Sequence, residues 1–206
     1  MLTYPDIGCL NTDDTSLIKD SIEDEVLWAK LKSGNELAFS LLYKRYVNRL
    51  FNYGMHNCTD RELIKDCLQE LFVRLWTRRE TLGNAASVNF YLFKSFRRLL
   101  IGRLVASRQF TVLIQGKPAG IKEFIPPVED DITEGEAQRQ QLKILFASIN
   151  DLTKRQREAI ILKYFSELSY HEISSIMELR VDSVYNLISK ALDILRIKLK
   201  FSSFQQ

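Results

Sequence analysis

Residues 168–192 constrain the fold more tightly than any other stretch of this chain, because two apolar stripes at helical spacing flank one short break. Ser169 and Glu172 form a capping box: the hydroxyl accepts from the Glu172 amide and the carboxylate reaches back to the Ser169 amide. Ile173, Ile176 and Met177 then recur with helical period and give a first helix one apolar side. Leu179-Arg180-Val181 reads as a tight turn, with Glu178 where such turns often carry glycine. Asp182 or Ser183 is expected to cap a second helix that buries Val184, Leu187, Ile188, Ala191, Leu192 and Leu195.

The other face of that second helix carries Ser183, Tyr185, Asn186, Ser189 and Lys190, with Arg180 in the turn before it. These side chains form hydrogen bonds and include almost no acid, as a helix lying in a DNA major groove requires. An ordinary helical hairpin with a solvated polar face shows the same pattern. The remaining residues decide between the two.

With only 8 glycines and 4 prolines in 206 residues, and long apolar patterns of helical period, the fold class expected is all-α. The length suits one large domain or two small ones. The net charge is +3, but it is unevenly spread. Residues 1–22 hold four acids and one base. Residues 94–108 hold five bases (Lys94, Arg97, Arg98, Arg103, Arg108) and no acid, whereas residues 123–136 hold six acids and no base. Blocks of this kind suit separate surfaces that meet different partners. Cys9, Cys58 and Cys67 show no framework spacing, and His56 with Cys58 lacks a second pair to complete a metal site, so no metal is expected. No phosphate-cradling glycine loop or nucleophile–base pair is evident, so neither an enzyme, a cofactor nor a small-molecule substrate is expected. The chain has no signal peptide and no apolar run near 18 residues, which points to a soluble, cytoplasmic protein.

In chain order, residues 1–22 read as a flexible acidic lead-in. A helix over residues 23–33 ends at Gly34, and Asn35 caps a second with the core line Ala38, Leu42, Tyr46, Leu50. Residues 54–58 read as a break, after which Thr59 and Glu62 form another capping box. The helix it opens carries two apolar rows, Leu63-Cys67-Leu71-Leu75 and Ile64-Leu68-Phe72-Trp76, opposite a face of Asp66, Gln69, Glu70, Val73 and Arg74. Residues 77–87 form a loop with Gly83 and Asn84 at its tip, and a helix follows from Val88 to about Ser107. In that helix aromatic rings interleave with Lys94, Arg97 and Arg98, a mixture that stacks on bases and neutralises phosphates of single-stranded nucleic acid. Phe96 and Leu92 read as core. Glycines, prolines and acids then mark a linker, beyond which Leu142, Leu145, Phe146 and Ile149 restore helical spacing. Thr153 with Gln156 opens the helix before the hairpin. The organisation expected is a helical domain at 23–108, a linker at 109–138 and a helix-turn-helix domain at 139–200.

This layout resembles the extracytoplasmic-function (ECF) group of bacterial RNA polymerase sigma factors, over about residues 23–199. Asp66-Cys67-Leu68-Gln69-Glu70 with Phe72, Arg74, Leu75 and Trp76 is similar to the family's second conserved region. The resemblance implies that this helix docks on core polymerase through Asp66, Gln69, Glu70 and Arg74. Phe90-Tyr91-Leu92-Phe93 with Arg97 is similar to the helix that opens the promoter −10 element. Asn84, Tyr91, Lys94, Arg97 and Arg98 are the implied −10 contacts, with an extruded base received beside the loop of residues 83–87. The stretch from Leu152-Thr153 through Arg155-Gln156-Arg157-Glu158 to the hairpin is similar to the region that reads the −35 element. There Arg180, Ser183, Tyr185, Asn186, Ser189 and Lys190 are the implied contacts. Ser183-Val184-Tyr185-Asn186-Leu187 is similar to Bacteroidetes members of the group. Arg98, Gly102 and Glu178 depart from the family pattern, which has asparagine, aspartate and glycine there. Expected partners are core RNA polymerase, promoter DNA (duplex at −35, single-stranded at −10) and, as is common in the group, a membrane-anchored anti-sigma factor. The rival reading is a stand-alone helix-turn-helix regulator with a partner- or ligand-sensing N-terminal domain, which leaves the polar Asp66–Arg74 face without a use.

Overall fold

In the computed structural model the described residues are 22–114, 145, 147–149 and 151–203, with side chains described up to residue 107 in the first stretch and 199 in the last. The acidic lead-in, Leu142 and Phe146, and the linker beyond Ile114 lie outside them. The described secondary structure is helical throughout: α1 (Asp24–Lys32), α2 (Glu36–Asn57), α3 (Arg61–Thr77), α4 (Val88–Ile114), α5 (Lys154–Ile160), α6 (Tyr170–Met177) and α7 (Val181–Ser203). A 3₁₀ turn (Arg79–Thr81) follows α3, and a π-helical turn (Ile161–Phe165) continues α5.

Local chemistry sets most of the boundaries. Gly34, at φ +85°, stops α1 in a backbone region that glycine alone adopts freely. Asn35 Oδ1 then accepts from the Ala38 amide at 2.9 Å and starts α2. Both expected capping boxes of the second half are present: Thr153 with Gln156 before α5, and Ser169 with Glu172 before α6. Glu178 ends α6 at φ 57°, ψ 46°, so the left-handed turn position is indeed occupied by a glutamate.

Four expectations are corrected. The cap of α3 is Asp60, whose carboxylate accepts from the Glu62 and Leu63 amides at 3.1 Å each; the helix starts one residue too late for Thr59 to reach. Residues 54–57 are the last turn of α2 rather than a break. A Cβ on Gly54 would lie 2.8 Å from Ile64 Cγ2 and 3.2 Å from Phe96 Cζ, so the glycine lets three helices approach closely. α7 begins at Val181, with the Ser183 and Val184 amides donating to the Arg180 carbonyl, so neither Asp182 nor Ser183 is its cap. α4 runs past Ser107 to Ile114, since no glycine or proline intervenes before Gly116.

In the first half α2 packs on α1 and α3, and α4 closes the group. The core holds Leu27, Leu31, Leu42, Tyr46, Leu50, Ile64, Cys67, Leu75, Leu92, Phe93, Phe96 and Leu100, all at most 2% exposed. In the second half α7 lies across α5 and α6 through Ile160, Leu162, Ile173, Ile176, Val184, Ile188 and Ala191. The halves also touch, α2 against α5 and α4 against α6. Tyr53 is fully buried at this seam, and Glu158 is only 6% exposed.

Candidate nucleic-acid interface

Helical register places the recognition residues of α7. Burying Val184, Ile188, Ala191 and Leu195 turns Tyr185, Asn186, Ser189 and Lys190 outward, all exposed, with Ser183 half-buried beside them. Arg180 is exposed in the turn, and its guanidinium lies 3.5 Å from Asp182. The Tyr185 ring stacks on that of Tyr170.

The loop of residues 83–87 is held by α1, an element the sequence reading left out of this site. Trp28 Nε1 donates to the Gly83 carbonyl at 3.0 Å, and Lys32 Nζ donates to Asn84 Oδ1 at 2.8 Å. Glu25, Trp28, Ala29, Lys32, Asn84 and Ala85 line a cavity of about 320 Å³. Tyr91 reaches the same neighbourhood from α4, its ring edge-on to Trp28 at 5.0 Å. Trp28 and Lys32 of α1 thus link the loop of Asn84 to Tyr91. Trp28 lies in a helix that no motif marks, so nothing in the sequence pattern flagged it.

Lys94 and Arg97 do not share that surface. Lys94 sits over the Phe90 ring at 5.0 Å and donates to Ser175 Oγ at 2.8 Å, on α6 of the other half. Arg97 Nε donates to Glu158 Oε1 at 2.9 Å, and the Tyr53 hydroxyl donates to the same oxygen at 2.7 Å. Burial pushes the Tyr53 phenol well above its ordinary value, and the neighbouring carboxylate adds to the effect. Desolvation alone would lower the Arg97 value, but the Glu158 carboxylate outweighs it and raises it. Asn89 Nδ2 also donates across the seam, to the Ser166 carbonyl at 2.6 Å, and Arg49 lies 4.0 Å from Glu167. Burial raises the Glu172 value, yet bonds from Ser169 leave it lowered overall. Arg98 is exposed and stands apart from this set.

On α3, Asp66, Gln69 and Arg74 are exposed and Glu70 is half-buried, with exposed Val73 among them. Glu70 pairs with Arg74 on its own helix and accepts from Arg103 Nη2, on α4, at 2.9 Å. The Arg103 bond is the foremost reason the Glu70 carboxyl is held below its usual range. All four expected docking residues therefore share one accessible face, which α4 extends with Arg103.

Among the described residues no helix is long and apolar enough to cross a membrane, and no group of three or more His, Cys, Asp or Glu could hold a metal ion. The family model described as sigma-70 region 2 matches residues 42–109, and that described as sigma-70, region 4 matches residues 142–195. The chain is 25% identical to the ECF RNA polymerase sigma-E factor of Haemophilus influenzae, over 88% of this chain and 97% of that protein. It is 24% identical to the ECF RNA polymerase sigma factor SigM of Bacillus subtilis, over 73% of this chain and 88% of that one. Its fold is similar to the sigma factor RpoE of Bartonella quintana, solved with the anti-sigma factor NepR (TM-score 0.59, 20% identity, 80% and 97% covered). It is similar also to CnrH, solved with the cytosolic domain of CnrY (TM-score 0.54, 21% identity, 86% and 97% covered).

Proposed function

The chain belongs to the ECF group of RNA polymerase sigma factors, and from that premise we propose how its surfaces divide the work of promoter recognition. Core RNA polymerase is met by the α3 face, through Asp66, Gln69, Glu70 and Arg74. The −35 element is read as duplex by α7, with Asn186 pairing to a base edge and Lys190 meeting phosphate. At −10, one extruded base enters the cavity between α1 and the loop of residues 83–87, and the flanking strand passes to Tyr91, Lys94, Arg97 and Arg98. The domains proposed are residues 23–108, with α4 continuing to Ile114, and residues 139–200, and the protein works in the cytoplasm without a catalytic group or cofactor of its own.

The observation that carries this reading is the outward polar row of α7, next to a family match in each half of the chain. The contact between the halves adds a step. Lys94 and Arg97 are occupied by Ser175 and Glu158, so strand capture must be preceded by parting of the halves. Polymerase drives that parting by holding two modules at separate sites, where linked contacts reinforce one another. RpoE was solved with an anti-sigma factor; for this chain the anti-sigma partner proposed is a membrane-anchored one.

Core binding tests the assignment of α3. Replacing both Gln69 and Glu70 by alanine should lower affinity for core polymerase and leave helicity and melting temperature nearly unchanged, since the Glu70 pairs lie at the surface with exposed arginines and contribute little to stability. Undiminished binding removes the docking role from this face.

A further inference from the structure

The outward row of the recognition helix carries the Tyr185 ring, and the structure holds it against a neighbour. Tyr185 lies on Tyr170 with 3.8 Å between ring centroids and 12° between planes, although Tyr185 remains 51% exposed. Isolated aromatic pairs prefer offset or edge-on arrangements to a close face-to-face stack. A cation explains the exception here. Lys163 Nζ sits over the Tyr170 ring, 4.8 Å from its centroid, and draws on the electron density that would otherwise repel the second ring. The same ammonium donates to the Leu168 carbonyl at 3.3 Å, so its position is fixed by backbone. Ammonium, phenol and phenol thus form a chain of contacts running from the π-helical turn, through the first residue of α6, to the exposed face of α7.

A tyrosine on an exposed helix face ordinarily loses rotamer freedom when it meets a partner. The stack removes that loss in advance. It also presents a rigid apolar surface next to Asn186, on the face assigned to −35 reading. The one apolar group that the major groove offers on a base edge is the thymine 5-methyl.

We propose that Tyr170 is a positioning residue for −35 recognition, holding the Tyr185 ring against a thymine methyl in the major groove. The proposal rests on the assignment of α7 as the −35 reader, and deepens it by naming the contacted group and a second residue that sets specificity. Neither Tyr170 nor Lys163 touches the DNA base; each acts through Tyr185.

The test uses the full chain on core polymerase, with promoters in which deoxyuridine replaces thymine at one −35 position at a time. The unmodified protein should discriminate thymine from uracil at one position by about fourfold, the factor that burying one methyl is worth. Tyr170→Ala should bring that ratio to about one, while the ratio stays intact in Tyr170→Phe, which keeps the ring. Sequence preference set by Asn186 at its own base pair should persist in both variants. A ratio unchanged in Tyr170→Ala overturns the proposal, and so does a uniform weakening of every promoter, which would make the stack a phosphate anchor. If the unmodified protein shows no −35 preference of any kind, the assignment of α7 fails along with the proposal. If it shows preference without thymine–uracil discrimination, only the proposal fails.

Discussion

Replacing Arg97 by alanine should open the seam between the two halves without unfolding either. The Glu158 side chain is 8% exposed and that of Arg97 18%, so the substitution strands a carboxylate in a largely dry setting. Removing one partner of a buried pair costs about 3–5 kcal/mol. The lower end applies, because the Tyr53 hydroxyl still donates to Glu158 and water can reach the space that Arg97 vacates. About 3 kcal/mol corresponds to a shift of roughly a hundredfold in the equilibrium between closed and parted halves. Glu158→Gln keeps an acceptor for both donors and should move the same equilibrium in the same direction by less, about tenfold, as a charge-assisted bond becomes a neutral one. Removing both charges, Arg97→Ala with Glu158→Ala, should be milder than the sum of the two single changes, because no stranded charge is left. Energy transfer between fluorophores at the exposed positions 73 and 197 reports the separation, and circular dichroism confirms that the helices persist. Unchanged transfer in Arg97→Ala, or strict additivity in the double variant, refutes the reasoning that this pair holds the halves together.

The remaining expectations concern stability. Gly54→Ala should destabilise the first half by about 1–2 kcal/mol by urea unfolding, because the crowding of Ile64 and Phe96 outweighs the gain in helix propensity. Glu178→Gly should do the opposite, raising the melting temperature through relief of about 1 kcal/mol of left-handed backbone strain. His56 is lowered from 6.5 to about 3, chiefly by burial and then by Arg157. Above pH 6.5 it is neutral in both states and its contribution is complete; as pH falls from there toward 3, the unfolded chain takes up a proton that the folded chain refuses. Stability should therefore drop by up to about 1.4 kcal/mol per pH unit in that window, and urea midpoints at pH 7.5 and 5 should converge in His56→Gln relative to the unmodified protein.

Local rules carried the reading of the helices a long way. The capping boxes at Thr153 and Ser169, the Asn35 cap and the Gly34 stop each depend on residues within four positions of one another, and each is present in the structure. The core lines of α2 and α3 are equally legible, because 3.6-residue periodicity needs no knowledge of the partner helix. Some misreadings were local, a cap placed one or two residues off at Thr59 and at Asp182; others arose where a residue serves a distant neighbour. Gly54 reads locally as a breaker, yet its use is a close approach by Ile64 and Phe96, visible only once α3 and α4 are in place. Glu158 follows Lys154, Arg155 and Arg157 in the first turns of a helix, where nothing local marks it for burial; the partner that meets it, Arg97, arrives from 61 positions away. The same holds for the interface residues: α7 could be assigned face by face, whereas the hold of Trp28 and Lys32 on the loop spans more than fifty positions and leaves no periodic trace.

The central claim is that this chain directs polymerase to open a promoter. Its most direct test is transcription from a promoter in the chain's own upstream region by core polymerase with and without the purified protein, with permanganate footprinting of the template in parallel. A transcript and reactive thymines around −10 should appear only when the protein is present. Both should fall together when Arg97 and Arg98 are changed to alanine, and the loss should be similar at every promoter. Core polymerase bound by the protein, yet with no transcript and no reactive thymine at any promoter, would contradict the account.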